Sequence, residues 1–266
     1  MGRFEVATVG DNCIDRYLPP IALATVGGNA VNVAVHLRRL GRRTAYFGAV
    51  GEDREGRWTR ACLAENEIDI EHLRSLPGPT AFTNLAMNPG GERVIAFEEF
   101  GVCRGYRPGE GEIEALRNSS HVHLGWLDDG GALKRTLAAA GVSVSQDLAV
   151  NAGAEDLAIA FASAGAAPAS AQALLHQALG QGARLAVVTR GALGSIASDG
   201  RHYAETGIAP VEVVDTTGAG DTFIAGFIDA YLRGQSLLAC LEAGRDAAAS
   251  TCRHFGGFPQ QPLPLG

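Results

Sequence analysis

Short apolar runs alternate with stretches of helical periodicity along most of the chain. Runs at 5–9 (EVATV), 44–50 (TAYFGAV), 121–126 (HVHLGW), 142–147 (VSVSQD), 157–162 (LAIAFA) and 184–190 (RLAVVTR) have the length and composition of strands. Residues 29–40, 56–66, 130–140, 170–180, 219–233 and 237–253 read as helices. In the first of these, Val31, Ala34, Val35 and Leu40 form one stripe, and Gly41 stops it. Strands that are apolar throughout, alternating with helices, predict an α/β fold: a doubly wound, mostly parallel sheet covered on both faces. No repeat or low-complexity linker divides the chain, so residues 1–266 read as a single domain.

Two segments break the pattern. Residues 17–26 and 80–98 lack helical periodicity and read as β structure. In the second, Phe82 to Met87 and Val94 to Phe97 flank NPGGE (88–92), a sequence suited to a hairpin turn. A small β attachment on an α/β core is either a lid over a site or an ordinary surface hairpin. The tail from 258, FPQQPLPLG, is rich in proline and reads as loosely packed.

Composition narrows the function. With 46% hydrophobic and 19% charged residues, the chain has material for a packed core. No run of about 18 apolar residues would span a membrane, and 5–9 is too short for a signal-peptide core, which predicts a soluble cytoplasmic protein. Cys13, Cys62, Cys103, Cys240 and Cys252 are odd in number and lack a C-x-x-C pair, so they read as reduced structural thiols. The net charge is −7, and basic residues come in pairs (Arg38 with Arg39, Arg42 with Arg43) rather than stripes, which argues against nucleic acid as partner. Lys134, in GGALKRTL, is the only lysine. It lies outside any G-x-x-x-x-G-K-[ST] sequence, which excludes a P-loop, and the protein-kinase signatures are absent too. A nucleotide here would have to be held by backbone N–H groups, with arginine as the available cation.

The stretch DTTGAGDTFIAGF (215–227) carries the most chemistry. It follows a strand-like VEVV (211–214) and opens a helix whose stripe is Phe223, Ile224, Phe227, Ile228, Tyr231 and Leu232. Small Ala225, Gly226 and Ala230 permit close helix packing. Gly218, Ala219 and Gly220 fall at the helix start, where open N–H groups and the dipole attract anions. Asp221 follows in the first turn. A carboxylate is favoured there without any catalysis, yet beside an anion nest it is also what phosphoryl transfer uses to take the proton of an attacking hydroxyl.

These residues resemble a known family. DTTGAGD (215–221) is similar to the C-terminal signature of ribokinase-like (PfkB) carbohydrate kinases, and GGNAVN (27–32) with Ala34, Gly41 and Gly51 is similar to their N-terminal one. Asp15, VGEDREG (50–56) and VTRGALGS (188–195) match as well. The resemblance implies a ribokinase-like fold with a β lid, and ATP-dependent phosphorylation of a sugar hydroxyl with Mg²⁺. It implies Asp221 as catalytic base and the amides of Gly218, Ala219 and Gly220 as the anion hole. Asp15, Gly28 and Asn32 would line the sugar site, and Thr189, Gly191 and Gly194 the nucleotide loop, although the last two also suit a plain hairpin. Asp215, Thr217 and Gly256 match a monovalent-cation (K⁺) site of some members. Lids in the family often pair, which implies a homodimer through the lid.

One departure stands out. Many members carry N-x-x-E after the strand at 157–162, whereas this chain reads FASAGAAPAS there, with Ser163 near that place. The link from Asp147 to the next strand is also too short for an ordinary crossover helix. A sugar-binding protein without turnover is therefore a second reading. Within the family, GDNCID (10–15) and GGNAVNVAV (27–35) look most like the kinases that phosphorylate fructoselysine and related fructosamines at the 6-position; a kinase of a plain ketose, ribose or a nucleoside is the alternative. The positive tail of a fructosamine would call for a carboxylate, with Asp11, Asp15, Glu98 and Glu99 as candidates.

Overall fold

The apolar runs become strands because both of their faces are covered: every residue of Val6–Val9 (β1), Thr44–Gly51 and His121–Leu124 is buried. The computed structural model describes residues 4–87, 93–165 and 167–265; the NPGGE turn at 88–92 lies outside them. After β1 come β2 (Cys13–Tyr17), β3 (Leu23–Gly27), α1 (Asn29–Arg39), β4 (Thr44–Gly51), α2 (Arg54–Glu65), β5 (Leu73–Leu76), β6 (Phe82–Met87) and β7 (Arg93–Glu99). Next are α3 (Glu110–Arg117), β8 (His121–Leu124), α4 (Ala132–Ala139), β9 (Val144–Asp147), β10 (Ile159–Ser163) and α5 (Pro168–Gly180). The chain continues through β11 (Ala186–Thr189), β12 (Ser195–Ser198), β13 (Tyr203–Thr206), α6 (Ala219–Leu232), α7 (Leu237–Thr251) and β14 (Leu263–Pro264).

Nine strands form the main sheet in the order β13-β12-β11-β10-β9-β8-β1-β4-β5. All neighbours are parallel except β11–β12 and β12–β13. Leu116 of α3, Leu133 and Leu137 of α4 and Leu175 of α5 join the core on one face; Val33 and Leu37 of α1, Phe223 and Phe227 of α6 and Leu241 of α7 pack on the other. The winding reverses at β1, which lies between β4 and β8, and such a reversal opens a crevice beyond the carboxyl ends of the strands. A second sheet, β14-β3-β2-β6-β7, stands beside that crevice. Asp53 fixes its base: the side chain caps α2 through Gly56 N (2.7 Å) and also accepts Thr80 N and Oγ1, both at 2.7 Å.

Three expectations need correction. Leu40 is 38% exposed, and Leu37 takes its place in the buried stripe of α1, because the helix ends before Leu40 reaches the core. The VEVV segment is not a strand: Val213 and Val214 are 58% and 50% exposed, and Val214 N bonds Cys252 O instead of a neighbouring strand. The tail is anchored, not loose. Phe258 is fully buried, Gln260 bonds both N and O of Val26 at 2.8 Å, and Leu263–Pro264 pairs with β3. Its prolines are tolerated because this is a sheet edge, where a missing N–H costs no ladder bond.

The short link from β9 to β10 contains no helix. Lys134, 1% exposed on α4, holds it instead, donating to Gly153 O (2.8 Å) and Glu155 Oε1 (2.9 Å), while Gln146 Nε2 reaches the carbonyls of Asn151, Ala152 and Gly153 at 3.2–3.3 Å. The sole lysine thus serves the fold rather than a nucleotide. Replacing it by a shape-matched apolar residue, Lys134→Met, removes the ion pair to Glu155 and leaves Gly153 O to the longer Gln146 bond, and should cost about 1 kcal/mol in urea unfolding, with the m-value unchanged.

Candidate active site

Helices α1 and α6 both begin on a glycine in tight quarters. Gly28 has φ 107°, and a Cβ there would fall 2.5 Å from Asn12 Cα. Gly218 has φ 71°, and its Cβ would fall 2.4 Å from Gly257 Cα. Only glycine fits either position, and Gly218 also lies against α1, where its Cβ would fall 3.2 Å from Asn32 Nδ2. Gly226 against Ala243 and Gly244 against Phe223 then seat α7 on α6, the close packing that the small residues predicted.

At the meeting point lies Asp221. Asn29 Nδ2 donates to its Oδ1 and Asn32 Nδ2 to its Oδ2, each at 2.7 Å. The same Asn29 amide reaches Asp147 Oδ2 at 3.0 Å, so one side chain bridges two carboxylates. Burial pushes the Asp221 carboxyl up to about 8, with the negative charges of Asp147, Asp11 and Asp15 adding to the effect and the Asn32 bond opposing it. Burial likewise raises Asp147, where the Ala149 amide and Asn29 oppose it, and Asp11. Asp11 is a brace: its oxygens accept Asn29 N and Trp126 N, both at 3.0 Å, joining the loops after β1 and β8 to the start of α1.

The predicted sugar residues meet here. Asp15 is 6% exposed on β2, accepts Cys13 Sγ at 3.3 Å, and lies so near Gly27 that a Cβ there would touch its Oδ2 at 2.2 Å. Asp15, Gly28 and Asn32 surround the crevice that Asp221 enters. Gly218, Ala219 and Gly220 stand at the α6 N-terminus as predicted, although Ala219 N makes a turn bond to Thr216 O at 3.2 Å. The remaining first-turn amides and the dipole make that end a place for anions.

Asp215, Thr217 and Gly256 also come together. Asp215 is buried; its Oδ1 accepts Thr217 N (2.6 Å), and its Oδ2 accepts Gly256 N (3.0 Å) and the Tyr17 hydroxyl (2.5 Å). Thr189, Gly191 and Gly194 form the β11–β12 connection. There a Cβ on Gly194 (φ 81°) would fall 2.0 Å from Thr206 O, so the hairpin itself requires that glycine.

No motif in the sequence singles out Asn29, Asp147 or Tyr17, which the fold brings to Asp221 and Asp215. Asp147 carried a usable signal, a carboxylate at the carboxyl end of a parallel strand. Ser163 ends β10 directly beside Thr189. Among the described residues no group of three or more His, Cys, Asp or Glu side chains could hold a metal by itself. Mg²⁺ that travels with nucleotide phosphates needs only one or two protein carboxylates, and Asp147 at the end of β9 is of the kind that requirement calls for.

Comparison with known proteins agrees with this geometry. The model of the pfkB family carbohydrate kinases matches residues 23–125 and 149–262. Fructoselysine 6-kinase of Escherichia coli (strain K12) is 33% identical over 260 residues, covering 95% of this chain and 99% of that protein. A fructosamine kinase of Bacillus subtilis (strain 168) is 28% identical, covering 96% and 93%. Arabidopsis thaliana ribokinase, solved with ribose and ATP, superposes with a TM-score of 0.81 at 23% identity, covering 96% of this chain and 94% of that one. Two matched stretches covering most of the sequence, on a ribokinase fold, settle the family: the chain belongs to the pfkB carbohydrate kinases.

Proposed function

We propose that this ATP-dependent carbohydrate kinase phosphorylates the 6-hydroxyl of fructoselysine or a related fructosamine, with Asp221 as general base. The observation that carries the mechanism is the cradle of Asn29 and Asn32 around Asp221 at the open end of α6. Each amide fixes one carboxylate oxygen, so the base has a single orientation toward the crevice. The hydroxyl proton passes to the Asp221 carboxylate as its oxygen bonds the γ-phosphorus and the bond to ADP breaks. The amides of Gly218 and Gly220, with the α6 dipole, face the charge that gathers on the transferring group. Asp147 is the carboxylate that would hold Mg²⁺ in place of the absent N-x-x-E, and the ion would supply charge neutralisation for the phosphates.

Asp15 and the orphaned carbonyl oxygen of Asn32, which is 3% exposed, supply acceptors for sugar hydroxyls. The fructosamine assignment draws on GDNCID and GGNAVNVAV and on the names of the two relatives. Exposed Val94, Ile95 and Phe97 on β7 support pairing of two lids in a homodimer.

Asp221→Asn keeps size and hydrogen-bonding reach but cannot take a proton. Its kcat should fall by at least about 10²-fold, with ATP affinity held or raised and urea stability at neutral pH held or raised, because the neutral amide removes the cost of burying an ionisable carboxyl. Normal turnover in a folded variant would remove Asp221 from the mechanism. In a panel of fructoselysine, fructose, ribose, ribulose and adenosine with ATP, fructoselysine should have the highest kcat/KM. A plain sugar or nucleoside ahead by about tenfold would refute the substrate and leave the kinase.

A further inference from the structure

We propose that Glu98, on the outer strand of the lid sheet, is the specificity residue that pairs with the secondary ammonium a fructosamine carries at C1; this rests on the fructosamine reading above. The register of the lid places it. Asp15 faces Thr25 and Thr83, and Thr83 faces Glu98, so Thr25, Asp15, Thr83 and Glu98 form one row across β3, β2, β6 and β7. Side chains in such a row share a face of the sheet. Tyr17, two residues from Asp15 on β2, shares that face, and its hydroxyl reaches Asp215 and Gly256 N, so the face looks onto the crevice. Asp15 is the buried member and Glu98 the exposed one, two strand spacings or about 10 Å further toward the mouth. A sugar whose 6-hydroxyl lies at Asp221 and whose ring lies at Asp15 directs its C1 substituent along this row.

The other three carboxylates are committed. Asp11 gives its oxygens to two backbone amides. Asp15 is packed against Gly27. Glu99 points to the opposite face and accepts Gly101 N at 3.1 Å. Among the described residues Glu98 bonds a neighbour in the row, the Thr83 hydroxyl, and burial together with the charge of Asp11 raises its carboxyl. The charges acting most on Asp221 are Asp147, Asp11 and Asp15. Arg16 lies on the opposite face in a 2.7 Å pair with Glu55, and Lys134 serves the β9–β10 link. A cationic ligand therefore enters a crevice of carboxylates.

A second observation points to a ligand rich in donors. Asn29 and Asn32 are more than nine-tenths buried beside Asp221, and Thr25 is fully buried at the inner end of the row. Each keeps a side-chain oxygen without a hydrogen-bond partner among the described residues. Hydroxyls and an ammonium on one molecule supply what these oxygens and Glu98 lack.

The test compares 1-butylamino-1-deoxyfructose, cationic at neutral pH, with its neutral ether analogue 1-O-butylfructose, in the intact protein with MgATP. The wild type should favour the amine in kcat/KM by at least about tenfold, mainly through KM. Glu98→Gln should bring the amine-to-ether ratio to within about threefold, and Glu98→Asp should restore part of it. A Glu98→Gln protein that keeps the wild-type ratio overturns the assignment of Glu98 alone. A wild type that treats amine and ether alike overturns the fructosamine reading and this inference together.

Discussion

The crevice depends on one carboxylate that has been taken out of water and given two amide donors. Ionising a buried carboxyl costs several kcal/mol unless hydrogen bonds and dipoles replace the lost hydration. For Asp221 the replacement comes from Asn29, Asn32 and the N-terminal end of α6. That supply is sensitive to helix placement, because both asparagines sit on α1 and the carboxylate on α6. Gly28, Gly218 and Gly257 set the spacing: a Cβ on Gly257 would come within 2.5 Å of three Asn32 side-chain atoms, and His36 Nε2 holds Gly257 O at 2.7 Å. The glycines of both signature stretches thus share one task, holding the amides and the carboxylate in register.

The replacement is incomplete, since Asp147, Asp11 and Asp15 repel the charge. The folded protein therefore favours protonated Asp221 relative to an unfolded chain, where the carboxyl titrates in the ordinary range. Its contribution to stability is full below about pH 4 and is lost as pH rises through about 8. Such strain is typical of a site that must take up a proton on demand. The lid completes the arrangement with a gradient of order. β2 and β3 are buried against Phe258 and the tail, Asp53 pins the root at Thr80, and β7 at the edge exposes Val94, Ile95 and Phe97.

The doubly wound sheet was legible because its signal is local: apolar runs, a helical stripe and a glycine stop each reside in a dozen residues. Asp221 was legible for the same reason, a glycine cluster immediately before an apolar helix. Asn29 stands inside GGNAVN, yet its partner lies 192 positions away, and nothing in the spacing of that stretch announces the contact. Asp147 was hidden in the same way, 118 positions from the amide it shares with Asp221. The tail misled because proline content reports local disorder well and long-range edge pairing poorly; β14 exists only because β3 offers it an open edge. VEVV misled in the opposite way, with strand propensity but no neighbour to pair with. The Lys134 clamp illustrates a third case, in which a residue rare by composition proved structural once its surroundings were known.

The central claim, that burial and neighbouring carboxylates hold Asp221 protonated well above the ordinary range, is open to direct titration. Carbon-13 carboxyl NMR of aspartate-labelled protein without ligands, with the Asp221 resonance assigned by its loss in Asp221→Asn, follows the ionisation itself. A midpoint at about 8 is the result the structure predicts. A midpoint near 4, the value of a carboxyl in water, would contradict the account.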